Sequence, residues 1–318
     1  SLPTELGERP ALQKLMLAGN RLQALPESLQ GAHQLELLRI SANRLREVPA
    51  WLTALPRLAW LALAGNAMDW TFVHEPALPE VPWASITMGP LLGEGASGQI
   101  HRVQAAGWPQ PLALKLFKGE VTSDGLPEDE LAACLAAGDH PSLTTPVARL
   151  TDHPGQAQGL LMPLIPPGHV NLAGPPSLQT CTRDVYPAGF SLPAPLALGI
   201  ARDVAHAVAH LHQRGVMHGD LYAHNILIDP VHGQARLGDF GAATRLPGHA
   251  PELRRRLLAL EVRAMGCLLE ELAAHTPTPT SQAVHGLAQT CLSPVPSERP
   301  SMAEVAAQCQ ALANGLVT

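Results

Sequence analysis

The segment from His218 to Asn225, His-Gly-Asp-Leu-Tyr-Ala-His-Asn, sets a carboxylate (Asp220) shortly before an amide (Asn225) and runs straight into the apolar Ile226-Leu227-Ile228. A second carboxylate follows in Asp239-Phe240-Gly241. Upstream stand an amine within an apolar stretch, Lys115 in Ala113-Leu114-Lys115, and a glycine-rich turn, Gly93-Glu94-Gly95-Ala96-Ser97-Gly98. Taken singly, each is ordinary: alternation alone makes Lys115 an outward-facing lysine, and a lone Gly-x-Gly-x-x-Gly is common in incidental hairpins. Together they are the residue types that in-line phosphoryl transfer draws on. That reaction needs an acceptor hydroxyl oriented by a carboxylate, divalent ions to neutralise phosphate charge, and exclusion of water.

In this order and at this spacing the four motifs resemble the eukaryotic-like protein kinase superfamily, over about residues 84–318. The resemblance implies that Asp220 orients the acceptor hydroxyl, that Asn225 and Asp239 hold Mg2+, and that Lys115 and the turn of Gly93, Gly95 and Gly98 hold the phosphates of ATP. It assigns Ile100 and Ala113 to the roof of the adenine pocket, Leu227 to the same pocket, and Met162 to its back. The backbone of Leu164 and Ile165 would bond the base. Lys115 is expected to be held by a glutamate of the next helix, Glu130, with Glu128 as the alternative. His218 is implied to be structural and to pack near Phe240, Glu261 to hold the backbone of the catalytic loop, and Arg299 to pair with a glutamate such as Glu252.

Several positions depart from the pattern. Gly219 stands where the family usually has an arginine that pairs with a phosphorylated activation loop, so that mode of control is absent. Tyr222 replaces a lysine that serine/threonine kinases place near the transferred phosphate, and His224 an arginine common in tyrosine kinases. Charge stabilisation at the acceptor end is therefore thin. Only residues 242–249 separate Gly241 from Ala250-Pro251-Glu252, which matches the motif closing the activation segment, and a helix normally found after residue 276 is missing. The lost pieces are those that dock peptide substrates, so binding a protein acceptor must rely on the insert at 166–195, on the residues before the kinase-like region, or on another chain.

The elements that must position these residues are legible in outline. Asn20, Asn43 and Asn66 recur every 23 residues, each preceded by apolar residues such as Leu12-x-x-Leu15-x-Leu17, which resembles the leucine-rich repeat pattern. The asparagines are expected to satisfy backbone groups in the turn after each strand. Residues 1–70 thus form about three repeats, a marginal stack that leads one to expect further repeats upstream. Lys14, Met16, Arg39 and Ala62 would lie on the concave strand face, where they could contact a partner protein. Residues 71–83, with three prolines, read as a semi-rigid linker. Residues 84–163 form the N-lobe and 166–318 the C-lobe of the kinase-like region; within the latter, Leu196 to Arg214 has helical spacing and stops at Gly215. The expected fold is an α/β repeat solenoid followed by an α+β two-lobed protein-kinase fold with a reduced C-lobe, and the whole resembles bacterial leucine-rich-repeat protein kinases.

Composition narrows the alternatives. A net charge of -6 gives no basic footprint for nucleic acid. Five scattered cysteines without a Cys-x-x-Cys pair argue against a disulfide framework or zinc site and for a reducing, cytoplasmic setting. His206 and His210 share a helix face, but no third ligand accompanies them. No run is long and apolar enough to span a membrane. The sequence therefore leads to an ATP- and Mg2+-dependent protein kinase acting on Ser/Thr more than Tyr, with repeats that recruit or position a partner. The alternatives are a pseudokinase scaffold and a small-molecule phosphotransferase.

Overall fold

The 23-residue period becomes three short parallel strands, β1 (Lys14–Met16), β2 (Leu37–Arg39) and β3 (Trp60–Ala62), paired so that Lys14, Leu37 and Trp60 stand side by side. A 3-10 turn precedes each of them, and the computed structural model describes residues 2–72, 77–95, 98–119, 121–122 and 124–315. Ala96 and Ser97 of the glycine-rich turn, 73–76 of the expected linker and the last three positions of the chain lie outside the described residues. The asparagines knit one repeat to the next: Asn43 Nδ2 donates to the carbonyls of Leu17 (2.9 Å) and Ile40 (3.1 Å), while its Oδ1 accepts from the Leu22 amide (3.0 Å). Asn66 repeats the pattern on Ile40 and Leu45. Turn groups that would otherwise be buried without partners are thereby satisfied.

The N-lobe is built from β4 (Glu80–Pro82), β5 (Ile86–Glu94), β6 (Gly98–Ala105), β7 (Leu112–Phe117), helix α1 (Pro127–Ala137), β8 (Ala148–Thr151) and β9 (Gly159–Pro163). Its sheet has the order β4-β8-β9-β7-β6-β5. Strand β4 falls where only linker is expected. Its proline, Pro82, is tolerated because it is an edge strand, and it is held because Val81 is buried with Leu114 and Leu161 in the core of the sheet.

The C-lobe follows with β10 (Val170–Asn171), α2 (Ala194–Gln213), β11 (Val216–Met217), β12 (Ile226–Asp229), β13 (Gln234–Leu237), β14 (Thr244–Arg245), α3 (Pro251–Ala274), α4 (Thr280–Cys291) and α5 (Met302–Asn314). Pro251 and Glu252 open the first turn of α3, and only 275–279 separate α3 from α4. The apolar core does not respect the division between repeats and lobes. Leu37, Ala59 and Trp60 are buried in the core of the C-lobe. Met217, Leu246, Leu257 and Leu260 are buried among the leucines of the repeats. A fully buried leucine contributes roughly 1.5–3 kcal/mol, so this shared core fixes the repeats on the C-lobe.

The insert at 166–195 is packed rather than loose. Gly174 and Val185 bridge across it, and the Thr182 hydroxyl donates to the buried Glu36 of the repeats, which also pairs with Arg57 (3.0 Å). Tyr186 donates its hydroxyl to Glu271 of α3 (2.9 Å). Burial and the nearby Asp184 push the Glu271 carboxyl from 4.5 up to about 7, against the opposing pull of Tyr186 and Arg183. The folded protein thus keeps a proton that the unfolded chain has already lost. The contribution of Glu271 to stability is complete below about pH 4.5 and is lost as pH rises through about 7. Glu271→Gln, which keeps an acceptor for Tyr186, should stabilise the protein by roughly 1–3 kcal/mol at pH 8 and by little at pH 5. Urea denaturation at the two pH values measures this; an equal effect at both would remove the titration account.

Candidate active site

Lys115 lies in β7, and its ammonium donates to Glu130 Oε1 of α1 at 2.7 Å, with Asp239 Oδ1 3.6 Å away. Lys115 and Glu130 are both buried, whereas Glu128 is exposed, so Glu130 is the partner. Burial alone would favour a neutral amine; Asp239 and Glu130 outweigh it and hold the Lys115 pKa above its ordinary value. The same attraction, with the Gly241 amide, keeps Asp239 below the usual carboxylate range against the opposing effect of desolvation.

Between the lobes is a cavity of about 250 Å³ with a mixed lining. Apolar Ile100, Leu160, Met162 and Leu227 line it together with Lys115, Asn225 and Asp239. Gly95 and Gly98 border it, but Gly93, Ala113, Leu164 and Ile165 do not. Ala113 is buried in its strand opposite Met162. Thr144 and Pro146 line the cavity without having been singled out by any motif. A lining that combines apolar side chains with an amine and oxygen donors suits a purine nucleotide. Among the described residues no cluster of three or more His, Cys, Asp or Glu could hold a metal by itself. One carboxylate and one amide oxygen fit Mg2+, which keeps waters and takes its remaining ligands from phosphate.

The catalytic loop is clamped from beneath by Glu261 of α3. Its carboxylate accepts from the amides of His218 (3.0 Å) and Gly219 (2.6 Å) and meets His212 at 2.9 Å. Burial works to neutralise Glu261, and these donors reverse it, leaving the pKa lowered. His218 is fully buried, bonds the Gly238 carbonyl (3.0 Å) and lies 5.2 Å from the Phe240 ring, as a structural histidine would. Asn225 Nδ2 donates to both the carbonyl (2.9 Å) and Oδ2 (2.8 Å) of Asp220, which brings these two residues together. Asp239 has a φ of 58°, a left-handed conformation of the kind that accumulates at functional sites. His224 is oriented by Asp184 through its ring (2.7 Å) and its amide (2.9 Å). Burial lowers the His224 pKa and Asp184 raises it, with a net upward shift. Of the histidines that share a face of α2, His210 bonds the Ala137 carbonyl at 2.8 Å and His206 is exposed.

From above, the repeats cover this loop. Arg39 of β2 donates to the Gly219 carbonyl (2.7 Å) and to the Asp220 carboxylate, and pairs with Asp124 (2.9 Å). Trp60 of β3 donates its indole N–H to the Leu221 carbonyl (2.9 Å) and stacks on Tyr222, with ring centroids 4.3 Å apart and planes 7° from parallel. The strand face expected to meet another protein is, at Arg39 and Ala62, buried within this chain; Lys14 and Met16 remain exposed. Arg299 departs from expectation as well. It donates to the carbonyls of Ser293, Ala259 and Pro56 (each 2.9 Å), while Glu252 pairs with Arg255 at 2.9 Å. With so short a segment after Gly241, the repeats occupy the position from which Arg299 is reached.

Comparison with known proteins agrees with this geometry. A family model of the protein kinase domain matches residues 86–257, just over half of the chain, and a leucine rich repeat model matches residues 10–68. The chain is 33% identical over 160 residues to the DNA damage-responsive serine/threonine-protein kinase RqkA of Deinococcus radiodurans, covering 48% of this chain and 21% of that protein. It is 46% identical over 50 residues to the serine/threonine-protein kinase PrkC of Bacillus subtilis, covering 16% of this chain and 8% of that one. The chain thus spans about a fifth or less of the length of these relatives.

Gly219 provides a direct test of the covered loop. Its φ is 74°, and a Cβ there would stand 2.6 Å from the carbonyl oxygens of both Leu61 and Ala242. Gly219→Ala should lower the unfolding free energy by about 2–4 kcal/mol, combining left-handed strain with displacement of β3. A urea midpoint unchanged from wild type would contradict the docking of β3 on the loop.

Proposed function

Because the chain belongs to the protein kinase domain family, we propose that it is an ATP- and Mg2+-dependent protein kinase that phosphorylates serine or threonine hydroxyls. The observation that carries this reading is the convergence, on one cavity, of the Lys115–Glu130 pair, Asp239 and Asn225, with Asp220 outside its lining but bonded to Asn225. The names of the two bacterial relatives favour a Ser/Thr acceptor.

In this reading Lys115 holds the nucleotide phosphates, with the amides around Gly95 and Gly98 over them, and the apolar side chains of the cavity take the base. Asn225 and Asp239 would hold Mg2+, which supplies neutralisation of phosphate charge. Asp220 accepts the proton of the acceptor hydroxyl as that oxygen forms a bond to the γ-phosphorus. The bond from the γ-phosphorus to the β–γ bridging oxygen breaks, and its electron pair leaves with ADP. Exposed Lys14 and Met16, at the outer edge of the repeats, are the part of the strand face that a protein partner could still reach. The five free cysteines suit a reducing cytoplasm. Among the described residues no helix is long and apolar enough to cross a membrane.

Incubating the chain with γ-labelled ATP and Mg2+, with dephosphorylated casein and its own hydroxyls as acceptors, tests the reading. Label on protein should fall by at least about 10²-fold in Asp220→Ala and in Lys115→Ala. ATP binding without any transfer by the wild type would point to a scaffold, and transfer confined to small alcohols to a metabolite kinase.

A further inference from the structure

The repeats contribute a side chain to the site itself. Flanked by Gly219 and Leu221, with Tyr222 next, Asp220 has no lysine or arginine within its own loop. The cation that reaches it comes from residue 39, whose side chain is only 3% exposed and whose donors are spread over the Gly219 carbonyl, the Asp220 carboxylate and Asp124. Asp220 is thereby held at both oxygens, Oδ1 by Arg39 and Oδ2 by Asn225. A carboxylate oxygen has two lone pairs, so each keeps acceptor capacity for a third group. The side chain keeps 17% of its surface exposed, an open edge at which a hydroxyl can arrive.

Two kinds of device could put an arginine on a catalytic carboxylate: a removable lid that blocks it, or a fixed part that aims it. The surroundings favour the second. A lid separates along a surface that water can re-wet, whereas here Met217, Leu246, Leu257 and Leu260 share one buried core with the repeat leucines. Trp60 is 1% exposed and locked to the loop by both its N–H and its ring. Arg263 and Arg299 of the C-lobe donate to the carbonyls of Arg57 and Pro56. The absence of a side chain at Gly219 is what allows Leu61 to approach. The nucleotide side, meanwhile, has its Lys115–Glu130 pair already formed.

We propose that Arg39 is a positioning residue for phosphotransfer: with Asn225 it fixes the plane of the Asp220 carboxylate and supplies the charge that the catalytic loop lacks, making the second leucine-rich repeat a permanent part of the active site. Resting on the phosphotransfer reading above, this assigns the repeats a task inside the reaction as well as at the surface. A two-point hold matters because a group misplaced by about 1 Å can cost on the order of 10² in rate.

The full chain decides the matter, assayed with γ-labelled ATP and dephosphorylated casein. Arg39→Ala should lower kcat on the order of 10²-fold with KM for ATP within about threefold of wild type, because Arg39 does not line the nucleotide cavity. Arg39→Lys, which keeps the charge but not the planar fork, should be intermediate. Ethylguanidine added to Arg39→Ala should restore part of the lost kcat, which a purely structural loss would not show. Turnover in Arg39→Ala equal to wild type, or above it as for a removed lid, overturns the assignment while leaving the kinase reading intact. Where Arg39→Ala is unfolded, judged by loss of the ATP-dependent rise in melting temperature, folded Arg39→Lys decides: kcat at the wild-type level overturns the assignment, and a selective fall in kcat supports it. A wild-type chain that binds ATP and labels nothing removes both readings together.

Discussion

Burial of the Arg39 guanidinium against the catalytic loop is the constraint around which the two halves of this chain are fitted. Desolvation opposes the charge of Arg39, and Asp220 and Asp124 beside it, with a smaller contribution from Tyr222, keep its pKa above the ordinary value. A buried ion of this kind is tolerable when its partners are in place and costly when one is removed. The requirement extends outward. Glu36, equally buried on the neighbouring repeat position, needs Thr182, Arg57 and Arg183 around it. The insert that supplies Thr182 and Arg183 also supplies Asp184, which orients His224 beside Asn225. One polar network thus runs from the repeats through the insert to the edge of the cavity between the lobes, and an unmet member would leave a desolvated charge in a low-dielectric junction.

The loop is held from two opposed directions by different means. Beneath it, Glu261 takes two successive backbone amides. Above it, Arg39 and Trp60 take two nearby carbonyls, those of Gly219 and Leu221. Donors and acceptors of one short irregular segment are therefore satisfied by side chains on both faces, as buried irregular backbone requires. The short segment after Gly241 could not do this alone. Its contribution is the pairing of Thr244–Arg245 with Val216–Met217, and the Thr244 hydroxyl accepts from the Leu63 amide of the repeats at 3.3 Å. Repeat strands occupy the ground that a longer activation segment would need.

Much of this was legible in the residues, and the rest was hidden for identifiable reasons. The asparagine period pointed to backbone hydrogen bonds in the turns, and Asn43 and Asn66 also reach backbone one repeat away. Lys115, Asn225 and Asp239 were legible because each belongs to a motif whose residue type is dictated by the phosphate or cation it would meet, whereas Glu130 was legible only as one of two acids on the next helix. Arg39 was legible only as a residue on the open face of a strand. Period-2 alternation says which way such a side chain points and nothing about what lies there, and the group it meets is Asp220, far along the chain. The strand at Glu80–Pro82 was masked by Pro79 before it and Pro82 within it, the latter made harmless by edge position. Arg299 was assigned to Glu252 by resemblance, yet the packing of Pro56 and Arg57 against the C-lobe redirected it.

Gly219 brings these threads together. A residue with a side chain there would need space that Leu61 and Ala242 already fill, and its backbone would resist a φ of 74°. An arginine at this position and a repeat strand over it are therefore mutually exclusive. The positive charge that the loop gives up at Gly219 is returned from the opposite side by Arg39, on the strand next to Leu61 and in contact with the very carbonyl of Gly219. The glycine in the loop and the arginine on the repeat are thus one arrangement viewed from its two faces. It works only while β2 and β3 stay seated. Seating depends in turn on the leucines of the repeats and of α3 sharing a single core, which makes the geometry at Asp220 a property of the whole junction.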